Sequence, residues 1–481
     1  MTADPPRVAV NPQIFREYDI RGIVDQDLTD PVLETIGRAY ATLLYEADTD
    51  YGPGEPRGAA AANKRVVVGR DVRLSSQRFA AALITGLRAA GCDVIDIGAV
   101  PTPVLYYAVG HFGTDGGIEV TASHNPPQFN GLKLRKVAGG LNAPLTTAEV
   151  KELGRIANAG IFHTSAQPGS YGQRDALTPY KDYIVTTVKP ARRLKVVLDT
   201  GNGACGPTAV EVYERMGVEV VPLYIEPDGN FPHHVPNPLK EENMVDLQAK
   251  VREVGADIGI GLDGDGDRLG VVDDQGAILW PDMYMILIER LVLAGGPTGI
   301  IFDVKCSRAL IEDIAKHGGT PIMWKTGYTN IFAKRLESGA GFAGEFSGHM
   351  FFADPQINFD DGTYAGARLI QALAADPRPI SDRFADVPHY YNTPEGRLDC
   401  PESAKFGVMQ KLVAQFQQQY QVTTLDGARV EFPDGWFLVR ASNTEPSLTT
   451  RFEATTPERL EAITALLRNA LRQFPEIAIN F

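Results

Sequence analysis

The sequence predicts an α/β protein of three successive units followed by a separate α+β domain. Three observations carry this expectation. The chain has 481 residues, more than one hydrophobic core organises and enough for roughly three or four domains. Short apolar runs alternate with stretches of helical period as far as Ala375, the signature of helix-covered sheets. Beyond YYNTPEGRLDCP the order changes to a helix, a group of short strands and a final helix, an α+β pattern.

Taken in order, KRVVVGRD (Lys64 to Asp71) reads as a buried strand running into a loop. SSQRFAAALITGLRAAGC then has helical spacing, with Gly91 at the stop. DVIDIGAVPTP and GGIEVTASHNPP repeat the strand-to-loop arrangement, with Ile118 to Val120 as strand. A second set starts near Tyr171: LTPYKDYIVTTVK is helical, RLKVVLDTGNGACGPTAVEVYERMG is strand, glycine loop and helix, and VEVVPLYIE is a strand. ENMVDLQAKVREVGA is helical, and ADIGIGLDGDGDRLGVVDDQG is two strands around an acidic loop. GPTGIIFDVKCSRALIEDIAKHGG and TPIMWKTGYTNIFAKRLESGA open a third set, which continues through GFAGEFSGHMFF to a helix from about Gly362 to Ala375. AKFGVMQKLVAQFQQQY and PERLEAITALLRNALRQF are the helices of the last domain. The expected domains are 1–172, 173–276, 277–388 and 389–481. The Gly/Ala/Pro-rich stretch from Tyr45 to Lys64 reads as a surface insertion.

Hydrophobic residues make up 44% and charged residues 22% of the chain, a globular composition. A formal net charge of -14 disfavours nucleic acid and anionic membranes as partners, yet permits a local basic cluster for an anionic small molecule. No apolar run reaches the ~18 residues of a membrane span. MTADPPRVAVNPQIF lacks the pattern of a signal peptide. The four cysteines, Cys92, Cys205, Cys306 and Cys400, form no Cys-x-x-Cys pair, which argues against a zinc knuckle and fits reduced thiols in the cytoplasm.

GLDGDGDRLG is the sharpest local signal. Asp263, Asp265 and Asp267 alternate with Gly264 and Gly266. Carboxylates this close repel unless a cation or strong donors neutralise them, and oxygen-only ligands suit a hard ion such as Mg²⁺. An EF-hand does not fit, because the twelfth loop position is Asp274 rather than Glu and a strand follows directly. The plainer alternative is a polar turn between strands.

TASHNPPQFNGLKL carries Ser123 at a strand end, followed by turn residues. A phosphate on Ser123 would complete an oxygen shell around a metal held by the aspartates. There is no G-x-S-x-G elbow of an α/β-hydrolase. Lys133 follows the turn and suits a proton shuttle; a surface lysine is the alternative. GEFSGH offers Glu345, Ser347 and His349 to a polyol, and RASNTEP offers Arg440, Ser442, Asn443 and Thr444 to a phosphate. Each fragment alone also reads as an ordinary turn. His233 and His234 read as structural, since no further regularly spaced ligand joins them.

With these motifs in order, the chain resembles the bacterial phosphomannomutases/phosphoglucomutases of the α-D-phosphohexomutase family over nearly its whole length. TASHNPP, DGDGDR, GEFSGH and RASNTEP match the family's phosphoserine, metal, sugar and phosphate loops. The resemblance implies a four-domain architecture, with three related α/β domains of mixed sheets and a C-terminal domain like the TATA-box-binding protein. It implies Ser123 as phosphoserine, with Ser123, Asp263, Asp265 and Asp267 around Mg²⁺. It implies Lys133, Arg268, His349 and Arg21 as charged catalytic residues. Tyr18, Lys305, Lys325, Tyr328, Glu345, Ser347, Arg440, Ser442, Asn443 and Thr444 would bind substrate.

The implied reaction moves a phosphoryl group between C1 and C6 of mannose or glucose phosphate, with glucose 1,6-bisphosphate or mannose 1,6-bisphosphate as intermediate and activator. A small-molecule hexose phosphate is the expected partner, and a monomer or weak homo-oligomer the expected state. KTGYTN departs from the family's common KTGHS, placing Tyr328 where a histidine is usual; a phenol donates a hydrogen bond but carries no charge at neutral pH. The alternatives are a phosphoglucosamine mutase, which GEFSGH rather than GEQSGH disfavours, a phosphatase, and a non-catalytic sugar-phosphate-binding protein.

Overall fold

The computed structural model describes residues 8–46, 63–442, 446–479 and 481. The stretch read as a surface insertion falls largely outside them. Two compact units are present, Met1–Leu279 with Asp354–Pro377, and Trp280–Ala353 with Arg378–Phe481.

Among the described residues, the first unit contains two mixed sheets. One is built from β1 (Ile20–Ile23), β2 (Arg65–Arg70), β3 (Asp93–Ala99), β4 (Gly116–Val120), β5 (Phe129–Ala138), β6 (Leu141–Pro144) and β7 (Tyr171–Gln173), in the order β1-β5-β4-β2-β3-β7 with β6 on β5. Its centre is parallel, while β5 runs antiparallel to β4 and β1. Helices α1 (Asp30–Glu46), α2 (Ser76–Ala89), α3 (Thr102–His111) and α4 (Thr147–Ala159) cover it. Every residue of β4 is buried, as a central strand between two helical layers requires. Thr146 and Glu149 start α4 with a reciprocal capping box, which satisfies donors the helix leaves open.

The second sheet orders β8 (Lys195–Asp199), β9 (Glu219–Leu223), β10 (Ile258–Leu262), β11 (Leu269–Val272) and β12 (Ile278–Leu279) as β12-β11-β10-β8-β9. Helices α5 (Leu177–Thr187), α6 (Gly206–Arg215) and α7 (Val245–Val254) belong to this region.

In the second unit, β13 (Gly299–Asp303), β14 (Thr320–Trp324), β15 (Phe342–Gly344) and β16 (Met350–Phe352) form a mixed sheet in the order β14-β13-β15-β16. It is accompanied by α8 (Pro281–Leu293), α9 (Arg308–Lys316) and α10 (Tyr328–Ser338). Helix α11 (Gly362–Ala374) returns to the first unit and packs on β10 and β11. The C-terminal sheet is antiparallel: β17 (Tyr391–Asn392), β18 (Gly396–Asp399), β19 (Gln421–Thr423), β20 (Ala428–Phe432), β21 (Gly435–Ala441) and β22 (Ser447–Ala454) order as β17-β22-β21-β20-β19, with β18 on β22. Its apolar core is shared with α12 (Glu402–Gln417) and α13 (Pro457–Leu471). The fold is therefore the expected one, with mixed sheets in the α/β regions and an α+β end. Among the described residues no helix is long and apolar enough to cross a membrane.

Candidate active site

Ser123 and the acidic loop both leave the carboxyl ends of strands that are parallel to a sheet neighbour, β4 and β10, where open α/β sheets present their ligand loops. Ser123 is 1% exposed and has a φ of 48°. Its backbone N–H donates to Thr121 Oγ1 at 2.9 Å, and its hydroxyl donates to Asp263 Oδ2 at 2.7 Å. His124 Nδ1 lies 3.0 Å from the same hydroxyl. Burial, then the positive charges of Arg268 and Arg21, holds His124 well below the usual imidazole range, so its ring is neutral at pH 7.

β10 and β11 form an antiparallel pair with Leu262 opposite Leu269, and the loop between them turns its carboxylates inward. Asp263 Oδ1 accepts from the N–H groups of Gly266, Asp267 and Arg268 at 3.0–3.1 Å. One carboxylate thus shapes the loop with one oxygen and holds Ser123 with the other. Gly264 is required by a close approach, since a Cβ there would sit 2.5 Å from the Ser123 carbonyl oxygen.

Asp265 Oδ2 accepts from Thr102 Oγ1 at 2.6 Å and pairs with Lys133 Nζ at 2.7 Å. Lys133 also bonds Asp267 Oδ2. Burial acts against charge on Asp265, but Lys133 and Thr102 outweigh it and hold this carboxyl below the usual range. Asp263 goes the other way: burial, then Asp267 and Asp265, pushes it up to about 8. Burial opposes charge on Lys133, yet Asp265 and Asp267 prevail and raise it well above the usual lysine range.

The three aspartates can bring one oxygen each within 4.8 Å of one another. Asp265 Oδ1 is buried and receives no hydrogen bond. An oxygen-only donor set with an unused buried lone pair fits a hard divalent cation. Arg268 borders the group, its Nε 3.9 Å from Asp263 Oδ2. Arg21, on β1, donates to Asp19 at 2.8 Å and to the Thr121 carbonyl at 3.2 Å. Tyr18 lies half-buried two residues before β1.

Sequence reasoning passed over Arg73. Its guanidinium donates to the carbonyls of Ser123, Asn125, Pro126 and Phe129 at 2.6–3.0 Å and pairs with Asp71 at 3.0 Å. One buried side chain thereby fixes the path of the nucleophile loop. Thr102, on α3, was likewise unmarked. Neither belongs to a repeated pattern, so composition and spacing carried no signal for them.

The second unit gathers another polar group. The GEFSGH loop joins β15 to β16 and closes on itself, Glu345 N–H donating to the His349 carbonyl at 2.9 Å. Glu345 Oε1 accepts from Gly327 N–H at 2.6 Å, and burial raises its carboxyl above the usual range. Ser347 is half-buried. The Tyr328 ring lies 5.6 Å from that of His349, centre to centre, so the residue that departs from the family pattern adjoins the imidazole.

Lys305 Nζ pairs with Glu395 at 3.0 Å and lies 3.7 Å from Asp303. Lys325 is exposed at the end of β14. Arg440 is buried on β21 and pairs with Asp426 at 2.9 Å. Ser442 N–H donates to the Ser447 carbonyl at 2.9 Å. Asn443 and Thr444 lie outside the described residues. His233 and His234 bond Asn202 and Asp199 at 2.8 and 3.1 Å, in keeping with a structural loop.

A helix-covered set of mixed sheets with a buried serine against a carboxylate triplet defines a class of phosphoryl-transfer architecture, and comparison places the chain within it. Models of the phosphoglucomutase/phosphomannomutase alpha/beta/alpha domains I, II and III match residues 12–159, 178–276 and 280–391, and that of the C-terminal domain matches 395–470. The chain belongs to the phosphoglucomutase/phosphomannomutase family. It is 44% identical over 473 residues to a phosphomannomutase/phosphoglucomutase of Pseudomonas aeruginosa, covering 98% of this chain and 97% of that one. A Neisseria gonorrhoeae phosphoglucomutase is 40% identical, with 98% and 99% covered. The crystal structure of a phosphoglucomutase/phosphomannomutase family protein from Burkholderia thailandensis superposes with a TM-score of 0.87 at 40% identity, over 98% of this chain and all of that one.

Proposed function

We propose that this enzyme reversibly transfers a phosphoryl group between C1 and C6 of mannose or glucose phosphate, through phosphorylated Ser123 and a hexose 1,6-bisphosphate. The observation that supports the reading most directly is the 2.7 Å bond from the Ser123 hydroxyl to Asp263 within a buried carboxylate triplet. A binding protein has no need of such a nucleophile.

Mg²⁺ held by Asp263, Asp265, Asp267 and the Ser123 phosphate would supply charge neutralisation for the transferring phosphoryl group. The chain's own residues do the rest. Arg73 keeps the serine loop in place, so the nucleophile is already oriented. Lys133 is the first candidate for acid/base help, acting as a proton donor while Asp265 and Asp267 keep it charged, and His349 the second. Arg21 and Arg268 oppose the phosphoryl charge. Glu345 and Ser347 suit sugar hydroxyls, while Lys305, Lys325, Tyr328, Arg440, Ser442, Asn443 and Thr444 suit the phosphate and ring, with Tyr18 as a further contact. The assignment of residues 1–172, 173–276, 277–388 and 389–481 to the four domains, and the cytoplasm as the place of action, belong to the same reading.

The test is isomer turnover by purified protein with Mg²⁺ and a trace of glucose 1,6-bisphosphate. Mannose 1-phosphate and glucose 1-phosphate should both yield 6-phosphates. Preferential conversion of glucosamine 1-phosphate would move the assignment to a phosphoglucosamine mutase, and no conversion by phosphorylated enzyme would overturn it.

A further inference from the structure

Helices α8 and α9, together with the residue that caps α9, carry a second cluster of ligand-type side chains that the reaction above does not use. We propose that Glu289, Asp313 and His317 form a binding site for a divalent transition-metal ion of the zinc class. One ligand atom from each lies within 4.8 Å of the others. Asp313 and His317 are four residues apart, which puts them on one helical face, and Glu289 comes from the neighbouring helix.

The burial of Glu289 is the independent observation. It is 0% exposed, and neither carboxylate oxygen receives a bond from a donor group. Its neighbour is instead the Asp313 carboxylate. Two carboxylates placed this way need a proton or a cation between them.

Local charges do not supply that cation. Arg290 bonds both Asp313 oxygens, Nε to Oδ2 at 2.8 Å and Nη2 to Oδ1 at 2.5 Å, and also reaches Asp386 at 3.1 Å. Lys316 pairs with Asp386 at 2.7 Å. Two cations therefore face Asp313 and Asp386, and Glu289 is left over. Arg290 still leaves lone pairs on Asp313, since a carboxylate offers about four acceptor sites. Its bidentate grip orients the ligand as outer-shell donors do in metal sites.

His317 selects the class of ion. Its Nδ1 lies 3.2 Å from Asp313 Oδ2 and 2.9 Å from the Asp313 carbonyl oxygen. An imidazole with two carboxylates suits zinc, cobalt or nickel better than magnesium. The histidine is solvent-exposed and gives the ion a way in.

Cobalt is the probe, titrated into the full chain carrying Asp265→Asn so that the carboxylate triplet is disabled. Equilibrium dialysis should find one Co²⁺ retained per chain, with visible absorption. His317→Asn should abolish the absorption, and Glu289→Gln should weaken retention by more than about tenfold, the least that outer-shell losses produce. Mutase turnover of His317→Asn in the otherwise unaltered chain should stay unchanged. Absence of retained cobalt, or retention indifferent to both substitutions, would show that the carboxyl pair holds only a proton. Should Glu289→Gln fail to fold, the exposed His317 position decides alone.

Discussion

Ser123 adopts a left-handed backbone conformation, which costs a residue with a side chain on the order of 1–2 kcal/mol. The surrounding bonds hold it there: Thr121 takes its N–H, Arg73 its carbonyl and Asp263 its hydroxyl. Ser123→Ala keeps the two backbone bonds and removes the phosphoryl carrier. Turnover should fall about 10⁴-fold or more, the scale of losing a nucleophile, with unchanged circular dichroism and no phosphorylated species by intact mass. Retained turnover in rigorously purified protein would reject Ser123 as the carrier. Asp265→Asn tests a different link. It leaves an acceptor for Thr102 but removes the charge facing Lys133, so half-maximal activation by magnesium should need about 10–100 times more ion. An unchanged magnesium titration would count against Asp265 as a ligand.

At the scale of the element, the serine loop depends on one arginine more than on its own turn residues. Arg73 ties four carbonyls and Asp71 together without exposure to solvent. Arg73→Ala leaves Asp71 buried without its counter-charge, a loss of about 3–5 kcal/mol, and urea unfolding should show it. Arg73→Lys keeps the charge but not the planar fork; it should recover part of the stability while turnover stays depressed. Equal stability and turnover in both variants would remove Arg73 from this role. The contiguous motifs were legible in the sequence because their residues are neighbours in the chain: Asp263, Asp265 and Asp267 form one loop whatever the fold. The pairing of that loop with Ser123 spans 140 positions; the metal chemistry of a serine phosphate suggested it and the resemblance implied it, while spacing carried no sign of it. Arg73 was not legible, because a buried arginine after a strand has the same local pattern as a surface one.

For the molecule as a whole, periodicity located the helix at Gly362–Ala374 but could not say which sheet it covers. It lies within the stretch matched by the family's third domain model, yet packs in the first unit. Asp361 explains part of this placement. Its carboxylate caps α11 through the Tyr364 N–H at 2.8 Å and accepts from the Tyr180 hydroxyl at 2.8 Å. Burial pushes Asp361 up to about 7, with Asp360 adding to the shift and the two donors opposing it. An unfolded aspartate titrates near 3.9. Between about pH 4 and 7 the folded chain therefore holds a proton that the unfolded chain lacks, and stability falls as pH rises through that window. The shift of about three units corresponds to a loss on the order of 4 kcal/mol. Asparagine at this position keeps an acceptor oxygen and never ionises. Asp361→Asn should accordingly lose less stability than the unaltered chain between about pH 5 and pH 8, measured by urea midpoints at the two ends. Parallel losses in the two chains would mean that Asp361 is already ionised in the fold, and that its bonds to α5 and α11 outweigh its burial.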